Sequence, residues 1–193
     1  MSPVRLNGST SGYSELSAPA VAGNNTITLP TGNGTAGQVL TTNGSGALSW
    51  TGMGPAFSAY ASSGQTISTS TNTKIALQTE EYDTANCFDN ATNYRFTPNV
   101  AGYYQVNGIV AFSVSATGFR FIEIWKNGSK HKSGNQLPGG SVNYTAIIVS
   151  ALIYFNGSTD YIELYSIQNS GSSLTTSSGA ADSYFQAFLA RPA

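Results

Sequence analysis

The sequence offers few groups that could do acid–base or nucleophilic chemistry. Its single histidine, His131, lies between two lysines in the segment KNGSKHKSGN. A general base needs an orienting partner and a pocket, and this segment supplies neither, so we interpret His131 as an exposed turn residue. The many serines have no other histidine with which to form a catalytic triad. We therefore predict that the protein is not an enzyme.

Two further segments carry side chains that could do chemistry. The acidic stretch EEYD, with Glu80, Glu81 and Asp83, could supply oxygen ligands to calcium, but it lacks the regular spacing of a dedicated calcium loop. We interpret it as a solvated acidic loop and expect no metal or cofactor. The lone cysteine, Cys87, cannot form an internal disulfide and is interpreted as a buried small hydrophobe rather than a nucleophile.

The composition limits the class of protein. Only 9% of the 193 residues are charged, the formal net charge is −1, and 11% are aromatic. Eight scattered lysines and arginines do not form the basic patch that a nucleic-acid binder needs, so we expect no nucleic-acid partner. A disordered chain usually has more net charge and fewer aromatics. The shortage of charge favours burial between subunits as well as within one.

The sequence also bears on compartment. No uninterrupted apolar run approaches the roughly 20 residues that span a bilayer, and the start MSPVRLNGSTSGYSEL lacks the apolar core of a secretory signal. We expect synthesis in a cytoplasm, without membrane insertion. The eight Asn-x-Ser/Thr triplets are accordingly interpreted as turns rather than glycosylation sites.

Two regions differ in composition. Residues 16–73 carry no charged side chain, and residues 1–54 are small, polar and rich in glycine. A flexible linker is one interpretation of residues 1–54. The alternative is an extended arm with short β-strands that packs on other chains, and sparsely spaced apolar residues favour it. The candidate anchoring residues are Ile27, Leu29, Val39, Leu40 and Trp50. We predict an anchoring and trimerising arm over 1–54 and one domain over 55–193.

The second region shows strand periodicity. GYYQVNGIVAFSV alternates between two faces, and FRFIEIWK does the same before Asn127–Gly128, a strong hairpin signal. VNYTAIIVSALIYF is a nearly continuous apolar run, typical of a strand buried on both faces. No segment shows a helical period with caps. The pattern predicts an all-β, antiparallel sandwich.

The segment FDNATNYRFTPNVAGYYQV resembles a pattern of the globular head of complement's first component, a tumour-necrosis-factor-like jelly roll. The matching residues are Phe88, Asp89, Phe96, Thr97, Pro98, Gly102, Tyr103 and Tyr104. The end SYFQAFLA resembles that family's closing strand, and AFSAY its first strand; the likeness covers about 55–190. Ala187 stands where the family prefers glycine, and Asn93–Tyr94 replaces a loop glycine, where asparagine tolerates a left-handed backbone. The resemblance implies a jelly-roll knob and a homotrimer.

The part of this motif from Pro98 to Gly102 is interpreted as a hinge. Pro98 should end strand pairing and Gly102 should allow a sharp change of direction. Tyr103 and Tyr104 then point to opposite faces of one strand. Either both serve one core, or one fills the core while the other contacts a neighbouring subunit. With Phe185 and Phe188, they are the candidate residues of the knob core or trimer interface.

Residues 7–50 resemble low-complexity segments of bacteriophage fibre and other virion-surface proteins. Together with the knob, this resemblance implies a virion-surface protein made in a bacterial host. Because the arm is short, we favour a capsid decoration or cement spike whose arm binds the major capsid protein or a tail protein. The alternative is the knob of a short tail fibre that attaches to a host-surface glycan or protein. A secreted cellular ligand is disfavoured because the collagen-like Gly-x-y repeat is missing.

Overall fold

The computed structural model describes residues 4–7, 9–17, 19–21 and 23–193. Its contacts divide the chain into two units, Met1–Met53 and Gly54–Ala193, which are called the arm and the knob below. The described residues contain strands and turns but no helix, as the sequence predicts. None of them therefore belongs to a helix with the length and apolarity that a bilayer span requires.

The arm contains two antiparallel hairpins. Its strands are β1 (Val4–Asn7), β2 (Tyr13–Leu16), β3 (Gln38–Thr42) and β4 (Leu48–Gly52). β1 pairs with β2, and β3 pairs with β4 with Leu40 opposite Trp50. No described residue of the arm is buried. The arm therefore has regular backbone structure without a hydrophobic core of its own.

The knob is a sandwich of two antiparallel sheets. Its strands are β5 (Ala56–Tyr60), β6 (Thr66–Ile67), β7 (Thr73–Lys74), β8 (Thr79–Asp83), β9 (Phe88–Asp89), β10 (Arg95–Phe96), β11 (Ala101–Phe112), β12 (Phe119–Lys126), β13 (Ser129–Pro138), β14 (Thr145–Asn156), β15 (Ile162–Gln168), β16 (Leu174–Thr175) and β17 (Tyr184–Pro192). The front sheet has the order β14-β11-β17-β5-β8. The back sheet has the order β13-β12-β15-β10-β9, with β7 also paired to β15, and β6 pairs with β16 apart from both.

Local sequence explains the longest strands. In β11, the alternating residues Tyr104, Val106 and Val110 are buried, as the period of two predicts. β12 turns into β13 at Asn127 and Gly128, whose φ angles of 52° and 78° are those of a two-residue type I′ hairpin turn. The predicted hairpin is therefore confirmed.

Aromatic rings from both sheets fill the core. The Phe57 ring of β5 lies between Phe88, with centroids 4.7 Å apart, and Phe96, at 4.4 Å, and meets the edge of Phe185. The buried Cys87 belongs to the same cluster. The aromatic residues of the motif between Phe88 and Phe96 are thus packing residues that join β9 and β10 to the front sheet.

Three sequence interpretations are wrong in β8, in β14 and in the turn after β9. The acidic stretch of Glu80, Glu81 and Asp83 is not a loop but lies in edge strand β8, paired with β5. In the turn after β9, the left-handed residue is Tyr94, with φ of 49°, rather than Asn93. β14 is not buried on both faces, because its residues alternate between the core and an open face. A continuous apolar run hid that alternation.

Candidate functional site

The outward face of the front sheet carries several exposed large apolar side chains. Cross-strand pairing places Tyr103 of β11 opposite Tyr154 of β14, and Ile109 opposite Ile148. The exposed large side chains on this face are Tyr82, Tyr103, Ile148, Leu152, Tyr154 and Phe188. Leu152 retains 56% of its accessible surface and Phe188 retains 50%. Contiguous exposed apolar surface of this kind marks an association surface.

The two tyrosines of the motif take opposite directions. Tyr104 is fully buried and donates its hydroxyl hydrogen bond to the carbonyl of Val100 at 2.8 Å. Burial raises the pKa of Tyr104, so the phenol stays neutral. Tyr103 is 42% exposed, and its ring centroid lies 5.4 Å from that of Tyr154 on the outward face. One ring fills the core while the other extends the exposed face.

The closing strand β17 divides its phenylalanines in the same way. Phe185 is fully buried in the core, whereas Phe188 lies on the outward face. Ala187 is 2% exposed within the core cluster. Its side chain therefore packs between the sheets and does not reach the outward face.

Pro98 precedes β11, and Gly102 lies near its start. Pro98 is buried between β10 and β11, and Gly102 is the second residue of β11 rather than a residue outside it. Gly102 pairs with Pro192, and a Cβ atom there would lie 2.5 Å from the carbonyl oxygen of Arg191. The pairing register between β11 and β17 shifts between Tyr103 and Tyr104. The close approach of β17 therefore accounts for a glycine at this position.

The outward faces of the two sheets differ in charge. On the front sheet, the outward residues of β11, of β14 and of β17 from Tyr184 to Phe188 are all uncharged. The back sheet carries ion pairs, among them Lys74 with Glu163 at 2.8 Å and Lys130 with Glu123. This difference shows which face is compatible with burial, since charged groups are expensive to desolvate.

Aromatic rings of the back sheet lie next to its charged side chains. The rings of Trp125 and Tyr165 stack with centroids 4.1 Å apart, and the indole N–H of Trp125 donates to Glu123 at 2.8 Å. The guanidinium of Arg95 lies 4.5 Å from the ring centroid of Tyr161. Trp125, Glu123 and Arg95 thus each have a partner within the chain.

His131 lies in the back sheet, whereas the acidic candidates lie in the front sheet. His131 is exposed, but it lies in strand β13 rather than in the predicted turn, which consists of Asn127 and Gly128. Partial burial together with Lys132 and Lys126 lowers the pKa of its imidazole. In β8, burial and the neighbouring Asp83 raise the pKa of Glu80. Among the described residues, no group of three or more histidine, cysteine or acidic side chains is placed to hold a metal ion.

The anchoring candidates of the arm are exposed. Ile27 and Leu29 retain 67% and 70% of their surface, and Val39 and Leu40 nearly half. Trp50 is the most covered of the five, because its ring lies against Gly34 and its indole N–H donates to the carbonyl of Gly32 at 2.8 Å. The arm therefore presents apolar groups that a partner could bury.

Sequence reasoning missed several residues of the front face. Ile148, Leu152 and Tyr154 lie on the same, open face of β14. The residues between them are also mostly apolar, so hydrophobicity alone does not separate the two faces. The sequence signal was present in Ser150, a polar residue in phase with the exposed positions. Since alternate side chains of a strand point to the same face, the polar Ser150 marks the face that it shares with these residues as the open one.

Comparisons with known proteins agree with this architecture. No protein-family model matches the sequence. An uncharacterized protein of Acanthamoeba polyphaga mimivirus is 36% identical over 87 residues, which are 42% of this chain; the match spans only about a third (36%) of that protein. Among solved structures, the globular domain of zebrafish complement 1qA protein matches with a TM-score of 0.50 and 13% identity, over 72% of this chain and 99% of that domain.

Two further solved structures are similar in fold. Murine APRIL at pH 5.0 matches with a TM-score of 0.52 and 10% identity, over 70% of this chain and 98% of its own. Eiger TNF from S. frugiperda matches with a TM-score of 0.53 and 8% identity, over 73% of this chain and 94% of its own. At these identities the likeness concerns the fold. The knob has the jelly-roll fold that the complement 1q and tumour-necrosis-factor proteins share.

Proposed function

We propose that the protein is a non-enzymatic, homotrimeric structural protein of a virus particle. In this proposal the arm attaches to the major capsid protein or a tail protein, and the knob decorates the particle surface. The observation that carries the proposal is the exposed apolar surface that β11, β14 and the part of β17 from Tyr184 to Phe188 form without a charged side chain. The viral origin of the relative with 36% identity supports the setting.

The trimer rests on the physical character of the front face. Burial of large exposed apolar side chains such as Leu152 and Phe188 against a second copy lowers the free energy of the assembly. An interface whose core is apolar and free of charge is typical of stable homo-oligomers. The jelly-roll fold supports three copies, and closed symmetry satisfies every copy's interface equally.

The mass of the full chain in solution tests the trimer. With a chain mass of 20.1 kDa, a trimer should give a single species of about 60 kDa by native mass spectrometry. Leu152→Lys should shift the mass towards the monomer, because it places a charge in the buried face. Val142→Lys is the matched control, since Val142 is an exposed aliphatic residue outside the strands. A wild-type chain that stays monomeric at micromolar concentration would refute the trimer.

The role of the arm rests on its exposed apolar residues and its lack of a buried core. Three arms carried by one trimer bind a repetitive particle surface with avidity, so weak contacts by each arm suffice. Deleting residues 1–50 should abolish incorporation into particles of the encoding virus while a folded knob remains. The double variant Leu40→Ser, Trp50→Ser should weaken incorporation without deleting backbone. Particles that carry the truncated chain at wild-type occupancy would show that the arm is not the anchor.

The back sheet favours one alternative function. Its outward face concentrates aromatic rings and charges, such as Trp125, Tyr165 and Arg95, in a chain with few charges elsewhere. A receptor-binding knob of a short tail fibre could use this face to contact a host-surface glycan or protein. Gold labelling of the protein on intact particles distinguishes the two, because decoration places label over the capsid and a fibre places it on the tail.

A further inference from the structure

A row of polar side chains crosses the otherwise apolar front face. Strand pairing places Ser150 of β14 opposite Asn107 of β11, Asn107 opposite Gln186 of β17, and Gln186 opposite Ser58 of β5. These four residues are called the polar row. Since Ser58 is buried, the open part of the row is formed by the other three.

Apolar side chains lie on both sides of the polar row. On one side, two positions along the strands from the polar row, Ile148, Ile109 and Tyr184 lie opposite one another. On the other side, at the same distance, Leu152 and Phe188 flank Gln105. The Gln105 side chain turns towards the polar row. The polar row and Gln105 together therefore form a narrow polar strip between apolar borders, which is called the band below.

Hydrogen bonds order the β11 and β14 part of the band. The Ser150 hydroxyl donates to Oδ1 of Asn107 at 2.8 Å. The Gln105 amide donates to the Ser150 hydroxyl at 2.9 Å and to Oδ1 of Asn107 at 3.2 Å. Across the described part of the chain, the Asn107 amide nitrogen and the Gln186 side-chain amide make no hydrogen bond. Asn107 is held in place through its Oδ1, and both amides keep donors for a partner.

The chemistry of the band selects its partner. Amides and hydroxyls both donate and accept, so two copies of the band can hydrogen-bond to each other. They carry no charge, so identical copies do not repel. A partner of strongly charged or wholly apolar character would leave one side unsatisfied. The partner that matches both the band and its apolar borders is another copy of this chain.

The band also discriminates between alignments of the copies. When polar groups of one copy meet polar groups of the next, every amide finds a partner. If one copy slides by two residues so that its polar row meets the level of Ile148, Ile109 and Tyr184, Asn107 and Gln186 are buried against mostly apolar side chains and lose hydrogen-bond partners. Apolar surfaces alone tolerate such slippage because the hydrophobic effect is not directional.

We propose that the polar row, with Gln105, specifies the alignment and copy number of the knob's self-association, while the apolar residues around it supply the affinity. The proposal rests on the proposed homotrimer and assigns the specificity of that interface. It follows the physics by which a single buried asparagine defines register and oligomeric state in coiled coils, at some expense in stability.

The first test makes the band apolar in the full chain. The triple variant Ser150→Ala, Asn107→Leu, Gln186→Leu should still associate, but native mass spectrometry should show several oligomers instead of one. Gln136→Leu is the matched control, since Gln136 is exposed on β13 outside the front face, and it should keep the wild-type distribution. A triple variant that forms one species of wild-type mass, or only monomers, would overturn the proposal.

The second test is isosteric and does not depend on how the triple variant folds. Asn107→Asp keeps the acceptor oxygen that Ser150 and Gln105 use, but it places like charges together if the bands meet. At pH 8 its subunit dissociation constant should be at least about tenfold higher than that of the wild type, and the difference should vanish near pH 3, where the carboxyl is protonated.

Gln136→Glu and the wild type, measured at both pH values, control for general effects of acid. An Asn107→Asp chain that associates as tightly as the wild type at pH 8 overturns the proposal but leaves the homotrimer intact. A monomeric wild type instead refutes the homotrimer itself. The two failures are therefore distinguishable.

Discussion

Replacing Gly102 with alanine should destabilise the knob through a collision between two strands. A Cβ atom at this position would lie 2.5 Å from the carbonyl oxygen of Arg191 and 2.7 Å from Cδ1 of Leu189. The Leu189 side chain can rotate away, but the Arg191 carbonyl belongs to the β17 backbone. Either β11 and β17 must separate locally, or the end of β17 must leave the sheet.

The size of the effect follows from this geometry. Ordinary contact begins at 3.4 Å, so the Arg191 carbonyl must retreat by about 0.9 Å, the difference between 3.4 and 2.5 Å. Overpacking of this kind costs about 1–3 kcal/mol. Detachment of the strand end is the competing route, and it loses the hydrogen bond from the Ala193 N–H to the Ala101 carbonyl. We therefore expect about 2 kcal/mol for alanine and more for Gly102→Val.

Thermal unfolding at fixed protein concentration measures this effect. For a chain of this size, 2 kcal/mol corresponds to a fall in Tm of about 4–8 °C. Gly52→Ala in β4 is the control, because no atom lies within 4 Å of the Cβ that it adds. If Gly102→Ala melts within about 1 °C of the wild type, the close approach of β17 does not explain the glycine.

Three other positions give independent predictions. Arg120 is fully buried and donates to the carbonyls of Ser115, Thr117 and Phe119. Arg120→Ala should lower the free energy of unfolding, measured in urea, by about 3 kcal/mol. Arg120→Met should lower it by less, because methionine fills more of the space that arginine occupies. A loss below about 1 kcal/mol for alanine would contradict this role. The Thr92 N–H and the Asn93 amide lower the pKa of Asp89 from 3.8 to about 2; this contribution to stability should be complete above pH 4 and disappear as the pH falls to 2, and Asp89→Asn should flatten that part of the profile. An unchanged profile in Asp89→Asn would reject the assignment. Tyr94 has a left-handed backbone, so Tyr94→Gly should raise the free energy of unfolding by about 0.5–1 kcal/mol relative to Tyr94→Phe, and a lower Tm than that of Tyr94→Phe would show that ring contacts outweigh the strain.

Local patterns were sufficient for much of the fold. The hairpin at Asn127–Gly128 needs a left-handed backbone at both residues, and few other residue pairs adopt it easily. The alternation in β11 reports burial on one face because side chains alternate strictly along a strand. The absence of helical periodicity excluded helices for the same kind of reason. These features depend on neighbours in sequence.

Segments at the sheet edge were less predictable. The residues Glu80, Glu81 and Asp83 read as a loop because charged residues are depleted in strands. They form β8 because an edge strand has one exposed side, and Glu81 accepts a hydrogen bond from Ser58 at 2.7 Å. The partner strand β5, rather than local propensity, decides this structure.

The sequence by itself determined the strand content and the hairpin, since each depends on a short-range periodicity or a turn conformation. Only the tertiary structure decided which apolar face stays open, because both faces of β14 carry apolar residues and the position of the back sheet distinguishes them. It also decided that Ser150, Asn107 and Gln186 stand in one row. These residues are far apart in the chain, and the pairing register of three strands, which no local pattern encodes, brings them together.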